Sequence, residues 1–91
     1  MAVARVFEGK GWTAEQYDAL MRELDLPAGQ AAPGVLFHWA ERTDDGMRAI
    51  DVYESRDAAD RLVAERVGPA AQRLGLPLPE ISEHEVHAYL S

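Results

Sequence analysis

The hairpin and helix at the centre of this chain are encoded by residues 35–62, VLFHWAERTDDGMRAIDVYESRDAADRL. Residues 35–42 and 47–54 are rich in β-branched and aromatic side chains, and the turn-forming Thr-Asp-Asp-Gly of residues 43–46 separates them. This pattern predicts a β-hairpin. A favourable N-cap serine and an apolar side then predict a helix over residues 55–68.

The flanking sequence completes a βαββαβ order. Residues 2–8 predict a first strand, and Thr13 followed by Gln16 is a capping-box pattern that opens a helix. The apolar stripe of that helix is Tyr17, Leu20, Met21 and Leu24. After a proline-rich linker, residues 81–89 predict a fourth strand. This order predicts an α+β, ferredoxin-like fold, with two helices on one face of a four-stranded antiparallel sheet.

Size and composition limit what the chain can be. Ninety-one residues allow one hydrophobic core, so we expect a single domain over residues 1–91. A formal charge of -7 disfavours nucleic acid and anionic membranes as partners. No apolar run approaches the length of a membrane span or has the flanks of a signal peptide, and cysteine is absent. We therefore expect no membrane association and a cytoplasmic location.

The hairpin also predicts which of its residues share a face. Whether the loop is Asp45-Gly46 or the four residues 43–46, even positions of the first hairpin strand share a face with odd positions of the second. A three-residue loop would reverse this relation. The two faces then carry Val35, Phe37, Trp39, Ile50 and Val52 on one side, and Leu36, His38, Ala40, Ala49, Asp51 and Tyr53 on the other. Because the first set is more apolar, we expect it under the helices.

His38, Asp51 and Tyr53 are the candidate catalytic residues on the face that this assignment leaves open. A histidine titrates near neutrality and a carboxylate fixes its tautomer, so His38 held by Asp51 could accept the proton of a phenol or enol. Tyr53 would donate a hydrogen bond to the substrate oxygen or to dioxygen. The same three side chains could instead form a purely structural hydrogen-bonded cluster at a subunit interface. The apolar remainder of this face predicts a homodimer that covers it.

A family resemblance rests on three stretches of sequence. They are residues 48–55 (RAIDVYES), 56–62 (RDAADRL) and 83–87 (EHEVH). Together with the βαββαβ order, they resemble the dimeric α/β-barrel superfamily, and within it small antibiotic-biosynthesis-monooxygenase-like proteins. The resemblance implies a homodimer whose sheets meet face to face, with a cleft on each open sheet face. Its members include cofactor-free oxygenases of polycyclic phenols, haem-degrading enzymes, polyketide cyclases and proteins without assigned activity.

No cofactor and no metal are predicted. Haem-degrading and several oxygenase relatives use an Asn with a Trp and a His, whereas this chain contains no Asn. Where haem-binding relatives place a His near the end of the second helix, residues 64–67 are AERV. His84 and His87 would point to opposite faces of a strand, so they could not share a metal ion within it.

Trp12 and Arg5 each have two alternative roles. Trp12 would either close one end of a ligand cleft or pack over the start of the first helix. Arg5 would pair with Asp51 if both side chains pointed into the cleft, but no tight hairpin fixes the faces of the first and fourth strands.

Three functions are compatible with these observations. The first is a homodimer that binds a small, aromatic ligand, and this is the function we favour. The second is a cofactor-independent monooxygenase or cyclase acting on an aromatic polyketide-like substrate. The third is a non-catalytic interaction module, and the sequence alone does not decide whether the protein is an enzyme.

Overall fold

A computed structural model describes residues 1–27 and 29–89. The elements are, in chain order, β1 (Val3–Lys10), α1 (Ala14–Leu24), β2 (Val35–Thr43), β3 (Gly46–Tyr53), α2 (Arg56–Leu62), a π-helical segment (Val63–Val67), α3 (Gly68–Leu74) and β4 (Glu80–Glu85). The strands form one antiparallel sheet in the order β2-β3-β1-β4. The predicted ferredoxin-like α+β fold is confirmed.

Helix α1 begins with the predicted capping box. The Thr13 hydroxyl accepts a hydrogen bond from the Gln16 amide, and the Gln16 side chain accepts one from the Thr13 amide. Two of the amides left unpaired at a helix start are thereby satisfied. Leu20 and Leu24 are buried against the rest of the protein, as the predicted stripe requires.

The second helical unit is continuous from residue 56 to 74 but changes its winding in the middle. The Ser55 hydroxyl caps its start by accepting from the Ala58 amide. Pro69 has no N–H, and in a regular helix its ring would clash with the carbonyl four residues earlier. The chain instead widens ahead of Pro69, and the Gly68 amide donates to the Val63 carbonyl five residues back. In the described part of the chain, no helix is long and apolar enough to cross a membrane.

The β2–β3 hairpin closes over two residues, Asp44 and Asp45, because Thr43 pairs with Gly46. His38 lies opposite Asp51, which is the register expected for the four-residue alternative. A β-bulge interrupts the pairing at Leu36, between Val35 and Phe37. The bulge separates Val35, which packs in the core with Tyr53, from Phe37, which is exposed.

The faces of the sheet are the reverse of the sequence prediction. His38, Asp51 and Tyr53 do share a face, but this face lies under the helices, where His38 contacts Tyr17 of α1. Phe37 and Trp39 lie on the open face and are 38% and 37% exposed. The prediction was wrong because it placed the more apolar face in the core of a single chain. In the structure His38, Asp51 and Tyr53 face the helices, where they are satisfied by hydrogen bonds to Tyr17 and to one another.

Strand β4 is shorter than predicted. It pairs with β1 only from Glu80 to Glu85, and the last contact is the Val86 amide donating to the Ala2 carbonyl. The regular pairing ends where strand β1 begins, because Val3 is the partner of Glu85. His87 therefore lies outside the strand.

Candidate ligand-binding site

A cavity of about 1130 Å³ lies between the helices and the sheet face beneath them. Its walls are mostly apolar: Leu20, Met21 and Leu24 from α1, Leu62, Val63 and Val67 from the second helical unit, and Phe7, Met47 and Ala49 from the sheet. The volume slightly exceeds the roughly 300–1,000 Å³ of ordinary small-molecule sites. The cavity has room for a molecule of several fused rings.

A chain of hydrogen-bonded side chains runs along one wall of this cavity. The Tyr17 hydroxyl lies 2.6 Å from Nε2 of His38, and Nδ1 of His38 contacts Oδ1 of Asp51. On the far side, the Tyr53 hydroxyl donates to Oδ2 of Asp51 at 2.7 Å. Helix α1 and strands β2 and β3 therefore each supply part of one connected polar group.

With a neutral His38 imidazole, these contacts set the direction of each hydrogen bond. A carboxylate accepts only, so Nδ1 of His38 donates to Asp51 and Nε2 is left as an acceptor. The Tyr17 hydroxyl then donates to Nε2. Burial raises the pKa of Tyr17 above its ordinary value of 10.0, and the negative charge of Asp51 acts in the same direction. Tyr17 is therefore protonated at neutral pH, and its oxygen can still accept a hydrogen bond from a bound molecule.

The hydrogen-bonded side chains differ in their exposure to solvent. The side chains of His38 and Asp51 are 25% and 14% exposed, and both line the cavity together with Tyr17. Tyr53 is fully buried in the core cluster behind Asp51 and is not part of the cavity wall. Burial, followed by the charge of Asp51, strongly raises the pKa of Tyr53. Tyr53 contacts Asp51 rather than the cavity in this structure, and its predicted contact with a substrate or dioxygen stays a prediction.

Arg5 belongs to a separate ion cluster rather than pairing with Asp51. It bonds Asp60 of α2 and Glu83 of β4, and Glu83 also accepts from Arg56. The Arg5 guanidinium additionally lies 6.0 Å from the centre of the Tyr53 ring. The cluster ties α2 to the edge of the sheet and places two carboxylates against the charge of Arg5.

Trp12 combines both roles considered from the sequence. Its indole packs on Gly9, where a Cβ atom would come within 2.8 Å of the ring, and its Nε1 donates to the Pro77 carbonyl at 2.9 Å. These contacts fasten the start of α1 to the sheet and to the linker before β4. Trp12 also lines one end of the cavity.

Sequence reasoning brought His38 and Asp51 together correctly but missed Tyr17. Tyr17 was assigned to the apolar stripe of α1, because its spacing matches that of Leu20, Met21 and Leu24. The available signal was its hydroxyl, since a buried tyrosine needs a hydrogen-bond partner. Placing the polar face of the hairpin under α1 would have supplied His38 as that partner.

Among the residues that the structure describes, the histidines and carboxylates do not gather into a metal site. Within residues 1–27 and 29–89, no group of three or more His, Cys, Asp or Glu side chains is arranged to hold an ion. His84 bonds Ser82 on strand β4, away from the polar chain of the cavity.

Comparison with solved structures shows what the fold is similar to. SnoaB from Streptomyces nogalater, a cofactor-independent oxygenase, is 26% identical, and the match covers 98% of this chain and 94% of SnoaB with a TM-score of 0.63. Rv0793 from Mycobacterium tuberculosis matches over 100% of both chains at 18% identity and a TM-score of 0.67. A candidate antibiotic biosynthesis monooxygenase from Chloroflexus aurantiacus matches over 100% of this chain and 98% of its own, at 18% identity and a TM-score of 0.68. The shared fold and the 26% identity to SnoaB support the resemblance to antibiotic-biosynthesis-monooxygenase-like proteins.

The superfamily resemblance inferred from the sequence is therefore confirmed. No protein-family model matches the sequence, and no curated protein does so either. The cavity lies on the helix side of the sheet, whereas the sequence prediction expected the cleft on the open face.

Proposed function

We propose that this protein binds an apolar aromatic molecule carrying an acidic hydroxyl group and removes the proton of that hydroxyl. The observation that supports this most directly is the Tyr17–His38–Asp51 chain on the wall of an otherwise apolar cavity. An apolar lining with a few convergent polar groups is typical of small-molecule sites.

The proton would move through Tyr17 rather than directly to His38, because Tyr17 occupies Nε2. The ligand hydroxyl donates to the Tyr17 oxygen, and the Tyr17 proton passes to Nε2 of His38 as Tyr17 takes up the ligand proton. The products are a phenolate or enolate and an imidazolium, which Asp51 stabilises. Tyr53 acts behind this chain as a positioning residue, since its hydroxyl holds the second oxygen of Asp51.

A second proposed activity is cofactor-independent oxygenation of an aromatic polyketide-like substrate. It is supported by the likeness to SnoaB, which is a cofactor-independent oxygenase. Deprotonation of an enol gives an electron-rich carbanion that can reduce dioxygen. Loss of water from the resulting hydroperoxide would turn a CH₂ group into a carbonyl, with one oxygen atom in the product and the other in water. Cyclisation would need only the same deprotonation.

We also propose that the protein is a homodimer, paired through the open sheet face. Phe37 and Trp39 are exposed there beside the partly buried Ile50 of the neighbouring strand, and a second copy would cover this apolar surface. An ion cluster, in which Arg48 bonds Glu8 and Glu41, borders it. A cytoplasmic location stays a prediction from the sequence.

Light scattering tests the dimer. We expect twice the chain mass at micromolar concentration, and we expect Trp39→Glu to give the monomer mass because it places a charge within the apolar face. The matched control is Leu74→Glu on α3, which is 38% exposed, close to the 37% of Trp39, but lies on the helix layer. A monomeric wild-type protein would refute the dimer.

Titration of bound 2-naphthol tests the proton acceptor. The absorbance of 2-naphthol changes on ionisation, and we expect the wild-type protein to lower the pH at which the bound molecule ionises. His38→Gln keeps hydrogen-bonding capacity but removes the titrating base, so it should abolish this shift while 2-naphthol still binds. In a true substrate, the same change should reduce the rate by roughly 10²–10⁴.

The matched control for this titration is His84→Gln, a histidine away from the cavity wall. It should leave the shift intact. If the wild-type protein does not bind 2-naphthol, or if His38→Gln shifts its ionisation as strongly as the wild type, the proposed function is wrong and the cluster is structural.

A further inference from the structure

We propose that the cavity accepts electrically neutral ligands and excludes carboxylate- or phosphate-bearing ones of the same size. This inference rests on the proposed function and narrows its substrate class to neutral, apolar phenols and enols. It follows from the distribution of charge around the cavity.

No cation lines the cavity wall. The chain has nine Lys and Arg residues, all of them within the described ranges, and none is among the lining side chains. The ionisable groups on the wall are Tyr17, His38 and Asp51, of which Asp51 is an anion. The remaining polar side chains there are uncharged, namely Gln30 and Gln72.

The nearby cations are already engaged elsewhere. Arg5 is bonded by Asp60 and Glu83, while Arg66 donates to the Leu24 carbonyl and Arg73 to Glu23. The proposed partner subunit lies against the opposite face of the sheet. A permanent negative charge on a ligand would therefore be buried beside Asp51 without a counter-charge, and burying an unpaired charge is costly.

The cavity nevertheless tolerates one negative charge on the ligand, which is the charge formed when the ligand hydroxyl loses its proton. When His38 takes up the ligand proton, its imidazolium neutralises the new phenolate or enolate, so the net charge in the cavity does not change. A second anionic group on the ligand has no such proton to compensate it. The site thus admits a ligand that is neutral before the proton moves.

Calorimetric binding of two matched probes tests this inference. Methyl 3-hydroxy-2-naphthoate and 3-hydroxy-2-naphthoate share one ring system and hydroxyl group, and at pH 7 only the second carries a carboxylate. We expect the ester to bind at least ~10-fold more tightly. Gln72→Arg, which adds a cation at an exposed position of the cavity rim, should reduce this ratio.

Binding measured at high salt distinguishes the effect of the cavity from repulsion by the protein's overall charge of -7. At 0.5 M NaCl, repulsion by the protein surface is largely screened, whereas a charge buried in the cavity is not. The preference for the ester should therefore persist. Equal binding of both probes, or a preference that disappears in high salt, would overturn the inference while leaving the proposed function standing. If neither probe nor 2-naphthol binds, the proposed function itself fails.

Discussion

Replacement of Tyr53 by phenylalanine removes one hydroxyl group from the centre of the protein and leaves the ring packing in place. Tyr53 is fully buried among Val3, Ala32, Ala59 and Leu62, and its hydroxyl makes a 2.7 Å hydrogen bond to Asp51. A hydrogen bond to a charged acceptor contributes about 1.5–3 kcal/mol. We therefore expect Tyr53→Phe to lower the free energy of unfolding by about 2 kcal/mol.

Urea unfolding followed by circular dichroism at pH 7 measures this loss, at a fixed protein concentration because a dimer's stability depends on it. For a domain of this size, ~2 kcal/mol corresponds to a fall in Tm of roughly 8–16 °C. Tyr89→Phe is the matched control, since Tyr89 is 42% exposed and should change little. A loss below about 0.5 kcal/mol in Tyr53→Phe would refute the hydrogen bond to an ionised Asp51.

The Tyr53→Phe variant should also differ from the wild type in how its stability changes at alkaline pH. Burial raises the pKa of Tyr53 above its ordinary value of 10.0, so above that pH the unfolded chain ionises while the folded protein retains the proton. The stability of the wild type should therefore fall as the pH rises above about 10. Tyr53→Phe should show a shallower fall, with the remaining slope due to Tyr17, whose pKa is raised as well. An unchanged slope would mean that Tyr53 is accessible to hydroxide.

Two further variants test the hydrophobic core and the ion cluster that Arg5 and Arg56 form with Glu83. Leu62→Ala should cost ~2–5 kcal/mol in urea unfolding, because Leu62 is 6% exposed, whereas Leu78→Ala at a 93% exposed position should cost little. Hydrogen bonds from Arg5 and then Arg56 lower the pKa of Glu83 below its ordinary value of 4.5. Ionised Glu83 therefore stabilises the fold above pH 4.5, and this stabilisation is lost as the pH falls through the lowered pKa. Glu83→Gln should be less stable than the wild type at pH 6, and the difference should shrink as the pH falls below 4.5; parallel acid-unfolding curves would contradict this.

The fold could be predicted from the sequence because its signals are local. The Thr13 capping box, the Ser55 cap and the turn of residues 43–46 each depend on residues within a few positions of one another. The length of β4 could not be predicted in this way, because it depends on where β1 begins. Hairpin pairing is also local, so the parity that groups His38 with Asp51 was predicted correctly.

The choice of face could not be predicted by the same reasoning. Burial of the more apolar face is a rule for a single chain, and it does not apply if the proposed second copy covers that face. The bulge at Leu36 adds a second difficulty, because it places Val35 in the core although the alternation of the strand groups it with Phe37. Tyr17 was missed for a related reason: its partner is on another element, and only the correct face brings the two together.

The π-helical segment determines which side chains of α3 face the ligand space. In a regular helix each residue advances the direction of its side chain by about 100°. The wider turn at residues 63–67 accommodates one residue more than a regular α-helical turn would, so every position beyond it is rotated relative to α2. Ala71 and Gln72 line the cavity in the orientation that this rotation gives them. A homologue that lacks one residue in this segment and has no proline at the position of Pro69 would keep a continuous helix and the same strands, yet it would present different side chains to its ligand.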